Sequence, residues 1–290
     1  MSLYPYVVFG SIVEHKSFTK AAEELGVTPS TVSHTISKLE DELGFPLFIR
    51  SRGSVQLTDS GRQLLPTIMN YLKLENKLDE TCAEINGLER GTVRVGAFNS
   101  VTMAWLPDII KKYHRQWPGI EIHIKQAGYR EILTDIESGM LDIGFVTQDT
   151  APGMEMTPLY RDPLLFVTPK SFRPKNGDYV TRDEIRTLPV AIQEGSEADT
   201  LRFLRELGMS TNTNVKISDD SSLIAVISAG ISNAVMPSLL FNGTEDVATY
   251  PIDPPAYRVI SLITVKNKFL SPAAEKMKDM ILEYTDRLNG

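Results

Sequence analysis

Apolar residues over the first sixty positions recur at helical spacing and stop at turn residues. Tyr6, Phe9, Ile12 and Val13 form one amphipathic stripe. Ser17-Phe18-Thr19 interrupts it, and Thr19 is the expected N-cap of a short helix carrying Ala21, Ala22 and Leu25. After Gly26-Val27 comes Thr28-Pro29, a cap and then proline at the first helical position, where its missing N–H costs nothing. Val32, Ile36, Leu39 and Leu43, spaced 4, 3 and 4, predict a third helix ending at Gly44. Short strands at Leu47-Phe48-Ile49 and Val55-Gln56-Leu57 are linked by Arg50-Ser51-Arg52-Gly53-Ser54, which reads as a basic hairpin or wing. Thr58 then caps a long helix. In it Leu64, Ile68, Tyr71, Leu78, Cys82 and Ile85 follow a 4-3-4-3 pattern with Glu75 in the gap. Such a seam needs a partner, and a second copy of the helix is the simplest. Pro66 predicts a bend in it.

From Thr92 strands and helices alternate. Val93/Val95/Ala97, Ile120/Ile122/Ile124 and Ile143–Val146 read as strands, separated by one helix through Trp105–Tyr113 and another over about 130–138. A second set holds strands at Leu164–Val167, Val190–Ile192, Val215–Ile217, Ala234–Pro237 and Ile260–Val265. Its helices lie near 200–207 and 221–229, and a last helix opens at Ser271-Pro272. This order predicts an α/β fold with a mainly parallel sheet, in two similar units with a cleft between them. The expected organisation is a winged helix-turn-helix at 1–58, a linker and dimerisation helix at 59–87, a hinge at 88–91, and a two-subdomain α/β domain at 92–290. Subdomain I is expected at about 92–162 and 266–290, and subdomain II at about 163–265.

Composition narrows the classes. The 290 residues are 42% hydrophobic and 23% charged, the balance of a globular protein. No apolar run is long enough for a membrane helix, and MSLYPYVVFG has no features of a signal peptide. Cys82 is the sole cysteine, and His15, His34, His114 and His123 stand at no metal-ligand spacing with it. No metal or cofactor is expected, and a reducing cytoplasm is the expected compartment. The net charge of −7 does not by itself point to nucleic acid, and residues 1–65 hold 6 basic and 7 acidic side chains. The placement of those charges is more informative. Opposite its apolar stripe the third helix carries Ser30, Thr31, Ser33, His34, Ser37 and Lys38, with no acid between Thr28 and Leu39. A face of small hydroxyls, His and Lys fits a DNA major groove, and Arg50 and Arg52 in the wing suit phosphate.

The run Ser17-Phe18-Thr19-Lys20-Ala21-Ala22-Glu23-Glu24-Leu25 resembles the signature of LysR-type transcriptional regulators. Val32-Ser33, Leu39-Glu40, Glu42-Leu43-Gly44, Pro46-Leu47-Phe48, Arg50 and Leu57–Gly61 continue it in order. Further on, Gly139-Met140-Leu141-Asp142-Ile143, then Ala229-Gly230 with Met236-Pro237, resemble segments of that family's effector domain. The resemblance implies a cytoplasmic bacterial regulator that dimerises through the linker helix and often forms tetramers. It also implies binding to interrupted dyad operators, with a small, often anionic metabolite between two subdomains, as in periplasmic binding proteins. Where the family often has a base-reading glutamine, this chain has Pro29, so readout falls to the hydroxyls, His34 and Lys38.

Effector contacts are expected where loops follow strand ends: Ser100, Val101 and Thr102, then Gly128, Thr147, Gln148 and Ser196. A carboxylate is the expected ligand. Asp219-Asp220-Ser221-Ser222 reads as a helix cap rather than a metal site. Two other classes fit the sequence less well. A free-standing solute-binding protein would have an export signal and no helix-turn-helix. For an enzyme, Ser17-x-x-Lys20 has the spacing of a serine-lysine pair, but it falls in a cap and a short helix without the accompanying Lys-Thr-Gly.

Overall fold

The computed structural model describes residues 3–51, 54–85, 90–147, 156–193, 198–209, 216–241, 246–264 and 270–289. The N-terminal unit holds helices α1 (Tyr4–His15), α2 (Phe18–Glu24) and α3 (Pro29–Leu43) and the hairpin β1 (Phe48–Ser51) with β2 (Ser54–Leu57). Its core joins Val8, Phe9 and Ile12 of α1, Ala21 and Ala22 of α2, and Val32, Ile36 and Leu39 of α3. Burial of each large aliphatic side chain contributes about 1.5–3 kcal/mol, enough together to fix three short helices that would not form alone. Ser17, not Thr19, caps α2: its hydroxyl accepts from Lys20 N at 3.3 Å, because Phe18 already begins the helix. Thr28 caps α3, and Gly44, at φ 81°, ends it. Glu40 on α3 accepts from the backbone N–H groups of Leu47 (2.6 Å) and Phe48 (3.1 Å), which binds the start of the wing to the third helix.

Helix α4 (Asp59–Ile85) runs through Pro66 as one continuous helix. Its seam divides in two. Ile68, 3% exposed, lies in the core of the N-terminal unit, which corrects its expected place on an open dimer seam, and Leu64 is half-buried against the same core. Tyr71 meets the edge of Tyr6 at a centroid distance of 5.8 Å. Beyond it Leu74, Leu78 (63% exposed) and Ile85 (79% exposed) lie open to solvent together with Cys82. The hinge expected at 88–91 lies mostly outside the described residues.

The second unit is built on β3 (Gly91–Ala97), β4 (Ile120–Gln126), β5 (Ile143–Thr147), β6 (Met156–Thr168), β7 (Val180–Thr181), β8 (Ile192–Gln193), β9 (Lys216–Ile217), β10 (Ala234–Pro237), β11 (Ala248–Asp253) and β12 (Tyr257–Thr264). Its helices are α5 (Asn99–Ala104), α6 (Leu106–Gln116), α7 (Tyr129–Ser138), α8 (Arg182–Arg186), α9 (Ala198–Glu206), α10 (Asp220–Ser228) and α11 (Pro272–Asn289). The helix expected through Trp105 is two helices, since Pro107 has no N–H to give the carbonyl of Met103. The main sheet has the order β4-β3-β5-β12-β6-β11-β7, with β10 also on β6. It is mixed rather than mainly parallel: β3 is parallel to β4 and β5, whereas β12 is antiparallel to both β5 and β6.

Strand β6 joins the subdomains. Through Pro163 it pairs with β12, and from Leu164 it pairs with β10 and β11. Strand β12 therefore belongs to subdomain I, against the expectation that placed residues up to 265 in subdomain II. Its pairing with β5, and the packing of Ile260 and Leu262 on Trp105 and Met277, hold it there.

A candidate DNA-reading face and an inter-subdomain pocket

Helix α3 turns Val32, Ile36 and Leu39 inward, so its other face is left outside. Ser30, Thr31, His34, Ser37 and Lys38 are exposed and Ser33 is half-buried. Thr31 shares a hydroxyl contact of 2.9 Å with the capping Thr28. In the wing, Arg50 lies opposite Val55 within the hairpin rather than in its turn. Arg52 lies outside the described residues.

The linker helix is fastened to subdomain I at two buried points. Lys73 Nζ lies 2.5 Å from Asp142 Oδ1 and donates to the carbonyl of Leu141 at 2.8 Å. Asp142 also accepts from Arg94 N at 2.8 Å. Burial holds the Lys73 ammonium below its ordinary pKa, and the Asp142 carboxylate opposes that shift. About two turns further on, buried Glu80 accepts from Thr92 N at 3.3 Å and from Ala273 N at 3.2 Å, so it caps α11.

At the junction of the subdomains Arg258 is fully buried. Its Nε donates to Asp162 Oδ2 at 2.9 Å, and Nη2 lies 2.8 Å from the same oxygen. Nη1 donates to Tyr129 Oη at 3.1 Å and Nη2 to Ser100 Oγ at 2.6 Å, with the guanidinium 4.8 Å from the Phe98 ring centre. The other oxygen of Asp162 accepts from Ser238 Oγ (2.8 Å) and Leu239 N (3.1 Å) of subdomain II. Two opposite charges, both withdrawn from water, thus satisfy each other and hold elements of both subdomains.

Beside this node lies a pocket of about 20 Å3, lined among others by Ser100, Thr200, Asp220, Leu223, Met236 and Leu240. Asn99 Nδ2 donates to Asp220 Oδ2 at 2.6 Å across the cleft. Burial pushes the Asp220 carboxyl above the usual carboxylate range, against the opposing effects of Asn99 and Arg258. Its neighbour Asp219 caps α10 by accepting from Ser222 N at 2.9 Å.

Of the residues expected at the effector site, Ser100 lines this pocket. Val101 does not: its side chain is buried in the core of subdomain I. Thr102 donates its hydroxyl to the Phe98 carbonyl at 3.1 Å, as helical threonines do. Gly128 opens instead onto a groove of about 1280 Å3 between the end of α1 and subdomain I, which is also lined by Lys16, Lys125 and Arg130. Thr147 is fully buried at the end of β5, paired with Ile260. Gln148 and Ser196 lie outside the described residues. Arg258, Asp162, Thr200 and Asp220 were not anticipated. Arg258 and Asp162 fall just before the strands expected at Ile260–Val265 and Leu164–Val167, and pairing places both inside strands.

Among the described residues no cluster of His, Cys, Asp and Glu could hold a metal ion, and no helix is long and apolar enough to cross a membrane. Two family models match: the bacterial regulatory helix-turn-helix of the lysR family over residues 6–62, and the LysR substrate binding domain over residues 86–286. The chain is 28% identical over 288 residues to the HTH-type transcriptional regulator YvbU of Bacillus subtilis (strain 168), covering 98% of each chain. Full-length OxyR from Pseudomonas aeruginosa has the same fold, with a TM-score of 0.77 at 20% identity, over 98% of this chain and 94% of that one. CbnR in complex with its target DNA superposes with a TM-score of 0.63 at 17% identity, over 98% and 99%. The models cover both units and most of the chain, and the chain belongs to the LysR family of transcriptional regulators, with an N-terminal helix-turn-helix and a C-terminal effector-binding domain.

Proposed function

We propose that this regulator binds an interrupted dyad operator as a homodimer or a pair of dimers, and that a small molecule between its subdomains alters how it binds and bends DNA. The observation that carries the DNA reading is the exposed front of α3, which holds no acid before Asp41 in its last turn. Ser30, Thr31, Ser33, His34, Ser37 and Lys38 face outward there from a helix whose other side is locked in the core. Arg50 and Arg52 of the wing would meet phosphate. With Pro29 at the helix start and a nearly balanced domain charge, the affinity would depend on DNA shape, and it would depend less on salt than that of a basic domain. Self-association through the open Tyr71, Leu78, Cys82 and Ile85 would present two copies of α3. Such a protein would work in the cytoplasm.

The inter-subdomain pocket is the proposed effector site, with Ser100 and Thr200 on opposite walls. Of the hydroxyls expected to hold a carboxylate at the six-residue α5, Thr102 donates to its own helix, whereas Ser100 Oγ accepts from Arg258 and keeps its O–H to donate. A gel shift with DNA from upstream of the protein's own gene tests the proposal. Binding that is lost in Lys38→Ala and His34→Ala is expected. Unchanged binding in both variants would remove α3 from the contact.

A further inference from the structure

The pocket between the subdomains has a distinctive charge. Asp220 is the one charged side chain among its described lining residues. The nearby cation, Arg258, is enclosed by Asp162, Tyr129 and Ser100, and its charge is matched by Asp162. Among the described lining residues there is no lysine, arginine or histidine. The stretches that line the pocket fall within residues 95–110, 187–201 and 217–257, and none of these three runs contains a lysine, arginine or histidine. An anion entering here would meet the Asp220 carboxylate with no cation among the described lining residues to offset it.

Asp220 already receives one donor, the Asn99 amide at 2.6 Å, from the opposite subdomain. A carboxylate offers about four lone-pair sites, so it can take a stronger donor in place of the amide. As it stands the pocket, at about 20 Å3, has room for about one water. A ligand therefore enters as the Asn99–Asp220 bridge opens, which couples binding to the angle between the subdomains.

We propose that the effector is a small organic amine, with its ammonium group on the Asp220 carboxylate and its carbon chain against Leu223, Met236 and Leu240. This rests on the reading of the pocket as the effector site. The test uses the full-length protein and three probes of equal chain length: 1-aminobutane, butyrate and 1-butanol. Melting curves and calorimetry should show binding of the amine alone, with the melting temperature raised by roughly 5 °C at a hundredfold excess over Kd. Asp220→Asn, which keeps the shape, should weaken amine binding about tenfold or more. Asp219→Asn, one position away on the solvent side, should leave it intact. Butyrate binding that disappears in Ser100→Ala would overturn the charge assignment while keeping the pocket. Amine binding untouched by Asp220→Asn would put the ligand elsewhere and overturn both readings. No response to any of the three probes would overturn the amine assignment, and that comparison needs no variant to fold.

Discussion

Replacing Asp162 by asparagine isolates the electrostatic node at the subdomain junction. The amide oxygen can still accept from Ser238 and Leu239, so the perturbation is chiefly loss of one charge. Arg258, with no exposed side-chain surface, is then left as an uncompensated buried cation. Removing one member of such a pair costs about 3–5 kcal/mol, far more than the pair itself contributes relative to an apolar isostere. For a domain of this size that is a fall in melting temperature of roughly 10 °C. Urea unfolding of wild type, Asp162→Asn, Arg258→Met and the double variant gives the full cycle. The double variant should be less damaged than the sum of its parts, because the second change removes the stranded charge. A cost below about 1 kcal/mol for Asp162→Asn, or additivity within about 0.5 kcal/mol, would refute the reasoning.

Three further outcomes follow from the geometry. Leu78→Asp should leave the fold intact and shift sedimentation toward monomer, whereas Ile68→Asp should lower stability by several kcal/mol, because its side chain is inside the N-terminal core; equal behaviour of the two would contradict the divided seam. Gly61→Ala should weaken the wing by about 1–3 kcal/mol, since a Cβ there would lie 2.3 Å from the Leu47 carbonyl oxygen; hydrogen exchange of β1 and β2 would register it, and unchanged protection would count against the contact. Asp220 has a raised folded-state pKa, so the native state holds its proton more firmly than the unfolded chain does. Stability should therefore fall as pH rises from the unfolded value through the raised one. Asp220→Asn should match wild type in acid and exceed it at neutral pH. A constant difference across that range would show that burial of the charge is not the cause.

Helix α3 was legible because its core stripe and its proposed reading face are opposite faces of one short helix, so the 4-3-4 stripe and a front with no acid before Asp41 appear in the same fifteen residues. Asp142 was legible only as part of a resemblance. The structure supplies its physics: Gly139 ends α7 at φ 84°, Leu141 fills the core, and the carboxylate ties Arg94 to Lys73. The proposed effector pocket was half legible. Ser100 follows a strand end, where local order predicts ligands. Arg258 and Asp162 form their pair across 96 positions, which no local pattern encodes. β11 also escaped notice, because Pro251 interrupts its alternation. In α4 the heptad spacing was correct, but spacing alone does not say whether a stripe faces its own chain or another.

The carboxylate of Glu80 receives the backbone at both ends of subdomain I, the beginning of its first strand and the beginning of its last helix. Shaft and housing are thereby keyed together. Both of those backbone groups belong to subdomain I, so α4 follows that lobe as one body, and a rotation of a few degrees there is carried as a sweep to the far end of a twenty-seven-residue rod, where the N-terminal unit sits.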